Sequence, residues 1–129
     1  MIKVTPVCDT AEIKALCDRV GIVPEPNALC YFIYVDGVLG GICLFKLIKD
    51  GGRIIALRNT KEVQDKAALI IAGRACLDFI ERKSGFNAYF EEDDDALAAS
   101  LGFTKKEGQT YLDLHGYFGK CCGGCSAKH

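Results

Sequence analysis

The sequence predicts an α/β (α+β) domain, a mixed β-sheet with helices on its faces, in the order β-α-β-β-β-α-β-α-β-β. Three observations carry this reading. Asp36-Gly37 stands between two apolar runs, the strongest short signal for a hairpin. Residues 66–83 repeat apolar side chains at helical spacing. A strand-like segment lies on either side of that helix, so the two segments are expected to be parallel neighbours. The 129 residues fit one domain, and 50% hydrophobic residues with 26% charged give it a core and exclude a disordered chain. A formal charge of −1 with no run of Lys or Arg removes the electrostatic footprint of a nucleic-acid binder.

Taken in order, residues 2–8 read as a first strand. Asp9 then sits three positions before Glu12, the spacing of a capping box. Ile13, Leu16, Cys17 and Val20 form one apolar helical face, with Gly21 as the stop. Pro24 and Pro26 mark a loop. The stretch from Ala28 to Phe45 is apolar enough to be tested as a membrane span, but Asp36-Gly37 and then Gly40-Gly41 interrupt it. It reads instead as two strands, 29–35 and 38–48. Cys30, Phe32 and Tyr34 project to one side of the first, and Tyr31, Ile33 and Val35 to the other. Both sides are apolar, so this hairpin belongs inside the sheet and is covered on both faces.

Asp50-Gly51-Gly52 reads as the next turn and residues 53–58 as the next strand. The long helix 66–83 carries Leu69, Ala72, Gly73, Cys76 and Ile80 on its apolar stripe and Arg74, Asp78, Glu81 and Arg82 on its polar side. Gly73 costs about 1 kcal/mol inside a helix, and its place on the buried stripe points to close packing against the sheet. A strand at 86–90 follows Gly85. Asp93-Asp94-Asp95 supplies a cap for a short helix, 96–101, with Gly102 at its end. Strands near 103–107 and 109–114 complete a domain of residues 1–115, followed by a cysteine-rich tail, 116–129.

The first residues lack the apolar core of a secretory signal, so a soluble, cytoplasmic protein in a reducing compartment is expected. Free thiols are then the default for the eight cysteines. Cys8, Cys17, Cys30, Cys43 and Cys76 are scattered through apolar segments, where Cys17, Cys43 and Cys76 read as small core residues.

This order, together with three short words, resembles the GCN5-related N-acetyltransferase superfamily over residues 1–115. The words are Met-Ile-Lys-Val-Thr-Pro with Asp9 at a helix start, Tyr34-Val35-Asp36-Gly37-Val38-Leu39-Gly40-Gly41, and Leu101-Gly102-Phe103 before the last strands. The resemblance implies that the two parallel strands splay, and that the backbone of the earlier one, at Leu57 and Arg58, pairs with the pantetheine arm of acetyl-CoA. It further implies that the next loop and helix N-terminus hold the pyrophosphate with N–H groups. Counting back from Gly85, the loop maps to Gln64, Asp65, Lys66, Ala67, Ala68 and Leu69.

Gln64 and Lys66 suit an anion site and Ala67 is small, but both glycine positions of the family's loop are altered and Asp65 repels a phosphate. The family's acidic base has no counterpart in residues 53–58, and Ala98 stands where many members carry an acid tyrosine. Tyr89, Tyr111 or a water are the available substitutes, and no catalytic residue is assigned. The expected function is acyl transfer from an acyl-CoA to an amine, with no nucleic acid or membrane partner.

A second candidate is the tail. Cys122-Gly-Gly-Cys125 is a chelating spacing, and Cys121 with His129, or His115 in its place, completes a Cys₃His set for zinc or iron. The same pair could instead form a reversible local disulfide, and a plain reduced tail is the third reading. The competing function is therefore a non-catalytic protein of this fold that acts through its tail as a metal-, redox- or partner-binding module. The acidic run from Glu91 to Asp95 lacks the spacing of a calcium loop and reads as a helix cap and solvated turn. Lys46, Lys49 and Arg53 read either as an attractor for an acyl-CoA phosphate or as a solvated hairpin end.

Overall fold

A hairpin that is apolar on both sides needs cover on both sides. The computed structural model, which describes residues 1–118, provides it. The elements are β1 (Ile2–Pro6), α1 (Thr10–Val20), β2 (Leu29–Val35), β3 (Val38–Ile48), β4 (Gly51–Asn59), α2 (Lys66–Lys83), β5 (Asn87–Phe90), α3 (Asp95–Leu101), β6 (Thr104–Lys106) and β7 (Gln109–Asp113). They form one mixed sheet of seven strands in the order β1-β2-β3-β4-β5-β7-β6. Every neighbouring pair is antiparallel except β4 and β5, the parallel pair joined across α2.

The two faces of the sheet carry separate cores. On one, Ile33, Cys43, Phe45, Ile54 and Leu57 pack with Leu69, Ala72, Cys76, Leu77 and Ile80 of α2 and with Leu97 and Leu101 of α3. On the other, Cys30, Phe32, Ile42, Leu44 and Ala56 pack with Leu16 and Cys17 of α1. Alternate residues of β2 divide between the faces as its alternation requires, with Tyr34 beside Phe32 and Val35 beside Ile33. Among the described residues, no helix is long and apolar enough to cross a membrane.

Local chemistry fixes the ends. The β2–β3 hairpin turns on Asp36 and Gly37, both with positive φ (51° and 83°), the conformation that matches strand twist in a two-residue turn. The Asp9 carboxylate accepts from the Ala11 and Glu12 N–H groups at 2.9 and 3.1 Å and caps α1. The first strand stops at Pro6 rather than residue 8.

Gly51 and Gly52 are not turn residues. They open β4, and the turn before them is Lys49-Asp50. Their smallness serves packing, because a Cβ on Gly51 would lie 1.7 Å from the Asn87 carbonyl oxygen across the parallel pair. Gly73 is likewise a contact glycine, but its nearest neighbour is Leu101 of α3, at 2.8 Å from an added Cβ, ahead of Leu57 of the sheet at 3.2 Å.

Candidate functional site

β4 is the strand that builds the site, and a bulge shapes it. Leu44 pairs with Ala56 and Phe45 with Ile54, so Ile55 is an extra residue without a partner on β3. The inserted residue shifts the alternation: Ile54 and Leu57, three apart, both reach the α2 face. On the other edge, β5 follows β4 only from Gly51↔Asn87 to Ile54↔Phe90. One further main-chain bond joins them, from the Glu91 N–H to the Ile54 carbonyl at 2.8 Å. Beyond it the strands part. The splay that the resemblance implies is therefore present, and it opens at Leu57, Arg58 and Asn59.

An open cleft of about 400 Å³ fills the splay, lined by Leu57, Arg58, Asn59, Gln64 and Leu69 on one side and by Glu92, Asp93 and Asp94 on the other. The sequence nominates Leu57, Arg58, Gln64 and Leu69 of these. A second cavity of about 270 Å³ adjoins it, sharing Glu92 and Asp93 and adding Arg53, Tyr89, Glu91 and Lys105.

The loop from β4 to α2 is held by side-chain bonds to its own main chain and to that of β3. The Asn59 amide nitrogen donates to the carbonyls of Gly40 and Asp65 at 3.1 and 3.3 Å, and its amide oxygen accepts from the Asp65 N–H at 3.1 Å. Buried Thr60 donates to the Leu39 carbonyl at 3.1 Å. The Gln64 side chain donates to the Thr60 carbonyl at 3.0 Å, so its amide already has a partner within the loop.

At the start of α2, Asp65 is the cap, its carboxylate accepting from the Ala68 N–H at 3.1 Å. Ala68 and Leu69 are buried, whereas Lys66 and Ala67 are exposed, and helix geometry leaves their N–H groups without an intrahelical acceptor. Of the nominated loop, Gln64, Lys66 and Ala67 thus face solvent.

Glu92 is the residue that sequence reasoning missed. Its carboxylate accepts from the Leu57 N–H at 2.9 Å, from Arg58 Nε at 2.8 Å and from Arg58 Nη2 at 3.1 Å. The side chain is only 9% exposed. It therefore occupies the edge of β4 at the residue where the resemblance places the pantetheine arm.

The remaining guanidinium nitrogen of Arg58 donates to the Val20 and Gly21 carbonyls at 2.9 and 3.2 Å, a cation at the C-terminus of α1. The bond to Glu92 holds the Arg58 guanidinium above its ordinary value, with burial opposing. The acidic run is thus only partly a cap. Asp94 alone caps α3, through the Leu97 N–H at 3.0 Å, while Glu91 pairs with Arg53 and Glu92 turns into the sheet. No sequence signal couples Glu92 to Arg58, 34 positions away.

The other nominated groups lie elsewhere. Arg53 and Lys46 face each other at the far end of β4 from α2, paired with Glu91 and Glu25, so they do not approach the α2 start. Tyr111 donates to Asn87 Oδ1 at 2.7 Å, outside the cleft. Tyr89 lines the adjoining cavity beneath the Arg53 guanidinium, 4.9 Å from its ring centre.

Cys17, Cys30, Cys43 and Cys76 are buried and free. Burial pushes the Cys30 thiol up to about 12, with Cys43 and Cys17 adding to the shift. His115 stacks on Phe86, and its Nδ1 lies 2.7 Å from the Asp113 carboxylate. Among the described residues no group of three or more His, Cys, Asp or Glu could hold a metal ion. Cys121, Cys122, Cys125 and His129 lie outside the described residues.

No family model matches the sequence, and no curated protein matches it significantly. Solved structures do match the fold. The ribosomal-protein-S18-alanine N-acetyltransferase of Escherichia coli superposes with a TM-score of 0.65 at 12% identity, over 88% of this chain and 94% of its own. The YhhK protein of Escherichia coli, solved bound to coenzyme A, gives 0.60 at 13% identity, over 88% and 97%. The N-acetyltransferase PseH of Campylobacter jejuni, solved with acetyl coenzyme A, gives 0.54 at 10%, over 87% and 96%. At such identities the likeness establishes the fold.

Proposed function

We propose that this chain, which has the fold of the GCN5-related N-acetyltransferases, binds an acyl-CoA in the cleft between β4 and β5 and transfers the acyl group to an amine. One observation carries the reading. β4 and β5 part after Ile54, and the cleft so opened runs from Leu57 along β4 to Gln64 and to Leu69 in the first turn of α2. An extended chain with amide groups can pair with such a strand edge, and a pyrophosphate can sit on the N–H groups of Lys66 and Ala67 beside the Lys66 ammonium. Two of the superposed proteins were solved with coenzyme A or acetyl coenzyme A, which supports the same use here.

In the transfer, the amine nitrogen attacks the thioester carbonyl. The C–N bond forms, the C–S bond breaks, and the proton lost by the amine balances the thiolate that leaves. The adjoining cavity, which carries Tyr89 and Arg53 and shares Glu92 with the cleft, is the side from which an amine has room to approach. Its many carboxylates favour a cationic acceptor.

Calorimetric titration of the reduced full chain with acetyl-CoA, with free CoA alongside, tests the reading. Saturable binding in the micromolar range is expected, and absence of heat at millimolar ligand would overturn it. Lys66→Glu should weaken that binding about tenfold by placing a second anion at the helix start.

A further inference from the structure

We infer that Glu92 is a built-in occupant of the β4 edge, a carboxylate latch that must leave Leu57 and Arg58 before an external chain can pair there. This inference rests on the acyl-CoA reading above. After the Glu91 N–H bonds to the Ile54 carbonyl, the next outward-facing donor of β4 is the Leu57 N–H, and the Glu92 side chain fills that rung instead of a backbone carbonyl. Three donors converge on one carboxylate whose side chain is 9% exposed, whereas its partner Arg58 is 42% exposed.

The neighbouring acids behave differently. Glu91 lies outside the cleft on Arg53, Asp94 caps α3, and Asp95 reaches Lys105 at 3.6 Å on the surface. The segment is also anchored on both sides of Glu92, by the Glu91 N–H and by the Asp94 cap. Rotation of the Glu92 side chain about its own bonds therefore frees the edge without moving β5 or α3. The apparent affinity for a ligand is then reduced by the fraction of molecules in which Glu92 is seated.

Glu92→Ala, Glu92→Gln and Glu91→Gln in the full chain test the latch. Each is titrated with CoA by calorimetry and with neutral pantetheine by the NMR shift of the Leu57 amide. The expected result is at least about tenfold tighter binding of both probes to Glu92→Ala, a smaller gain for Glu92→Gln, which keeps an amide oxygen for Leu57, and none for Glu91→Gln. Pantetheine has no phosphate, so a gain confined to CoA would show that only charge was removed and would overturn the latch.

Equal binding of CoA to wild type and Glu92→Ala would overturn the latch and leave the acyl-CoA reading standing. No binding of CoA by any of the four proteins would overturn both. If Glu92→Ala does not fold, Glu92→Gln carries the same comparison, with about threefold as its expected gain.

Discussion

The two halves of β4 meet the same demand, a row of outward-facing backbone groups, in different ways. From Gly51 to Ile54 the edge is filled by the main chain of β5, at a spacing so close that Gly51 has no room for a side chain. At Leu57 it is filled by the carboxylate of a side chain, that of Glu92. The first arrangement can be lost only by separating two strands over a buried core. The second can be lost by a rotation. One strand thus combines a fixed anchor with an edge that can exchange its partner, and the Ile55 bulge lies at the change.

Amide hydrogen exchange gives the largest contrast. Tyr89, whose N–H faces β4 by alternation between those of Asn87 and Glu91, should exchange only on global unfolding, and the Leu57 amide about 10³-fold or more faster. Equal rates would make the two halves one rigid unit. Next comes Gly51→Val, which forces β4 and β5 apart at their tightest contact and should cost about 3 kcal/mol in urea unfolding. A cost below 0.5 kcal/mol would show that the close approach is not needed.

At the open half, Asp65→Ala removes the cap of α2 and should cost about 1 kcal/mol. Asp65→Asn keeps an acceptor for Ala68 and should cost only a few tenths, while raising CoA affinity several-fold in the calorimeter by removing an anion from the cradle. Far from both halves, Arg82→Gln breaks an exposed pair with Asp78 at 2.9 Å and should change stability by less than about 0.5 kcal/mol.

The smallest effect concerns Asp113, beside the outer rung of β5 and β7. The His115 backbone N–H and then its ring hold this carboxyl below its ordinary 3.8. A group whose native value is lowered stabilises the fold above its unfolded value, so this contribution is full above 3.8 and is lost as pH falls through the lower native value. A carboxyl NMR titration should show Asp113 with a midpoint below 3.8 that moves up toward it in His115→Ala.

Much of the fold was legible because periodic burial leaves a periodic trace. The helix 66–83 and both strands of the 29–48 hairpin emerge with the bounds that the sequence predicts, and Asp36-Gly37 and Gly102 take the backbone their residue types favour. Gly51-Gly52 was misread because glycine marks a turn and a close strand contact equally well, and only the Asn87 backbone, remote in sequence, distinguishes them. The position of the cleft could be read from strand order, but its contents could not. In a run of five acids every member looks alike, and what separates Glu92 from Glu91 is which arginine each meets across the sheet. Of the two readings of Lys46, Lys49 and Arg53, the solvated hairpin end is the one the register fits, since Lys46 and Arg53 face each other at the end of β4 far from the start of α2.

The outer strands give the sheet a directional preference for company. β6 is three exposed residues long, two of them lysines, and β1 ends on Pro6, which has no N–H to offer. Charge, brevity and proline blunt both outer edges against strand-to-strand growth. The cleft in the middle has neither the brevity nor the proline, and its edge is covered only by the Glu92 carboxylate. An extended peptide or a second copy of the sheet is therefore turned away at the periphery, while the interior slot is reserved for a slender guest that displaces one side chain and is too narrow to start a chain of further additions.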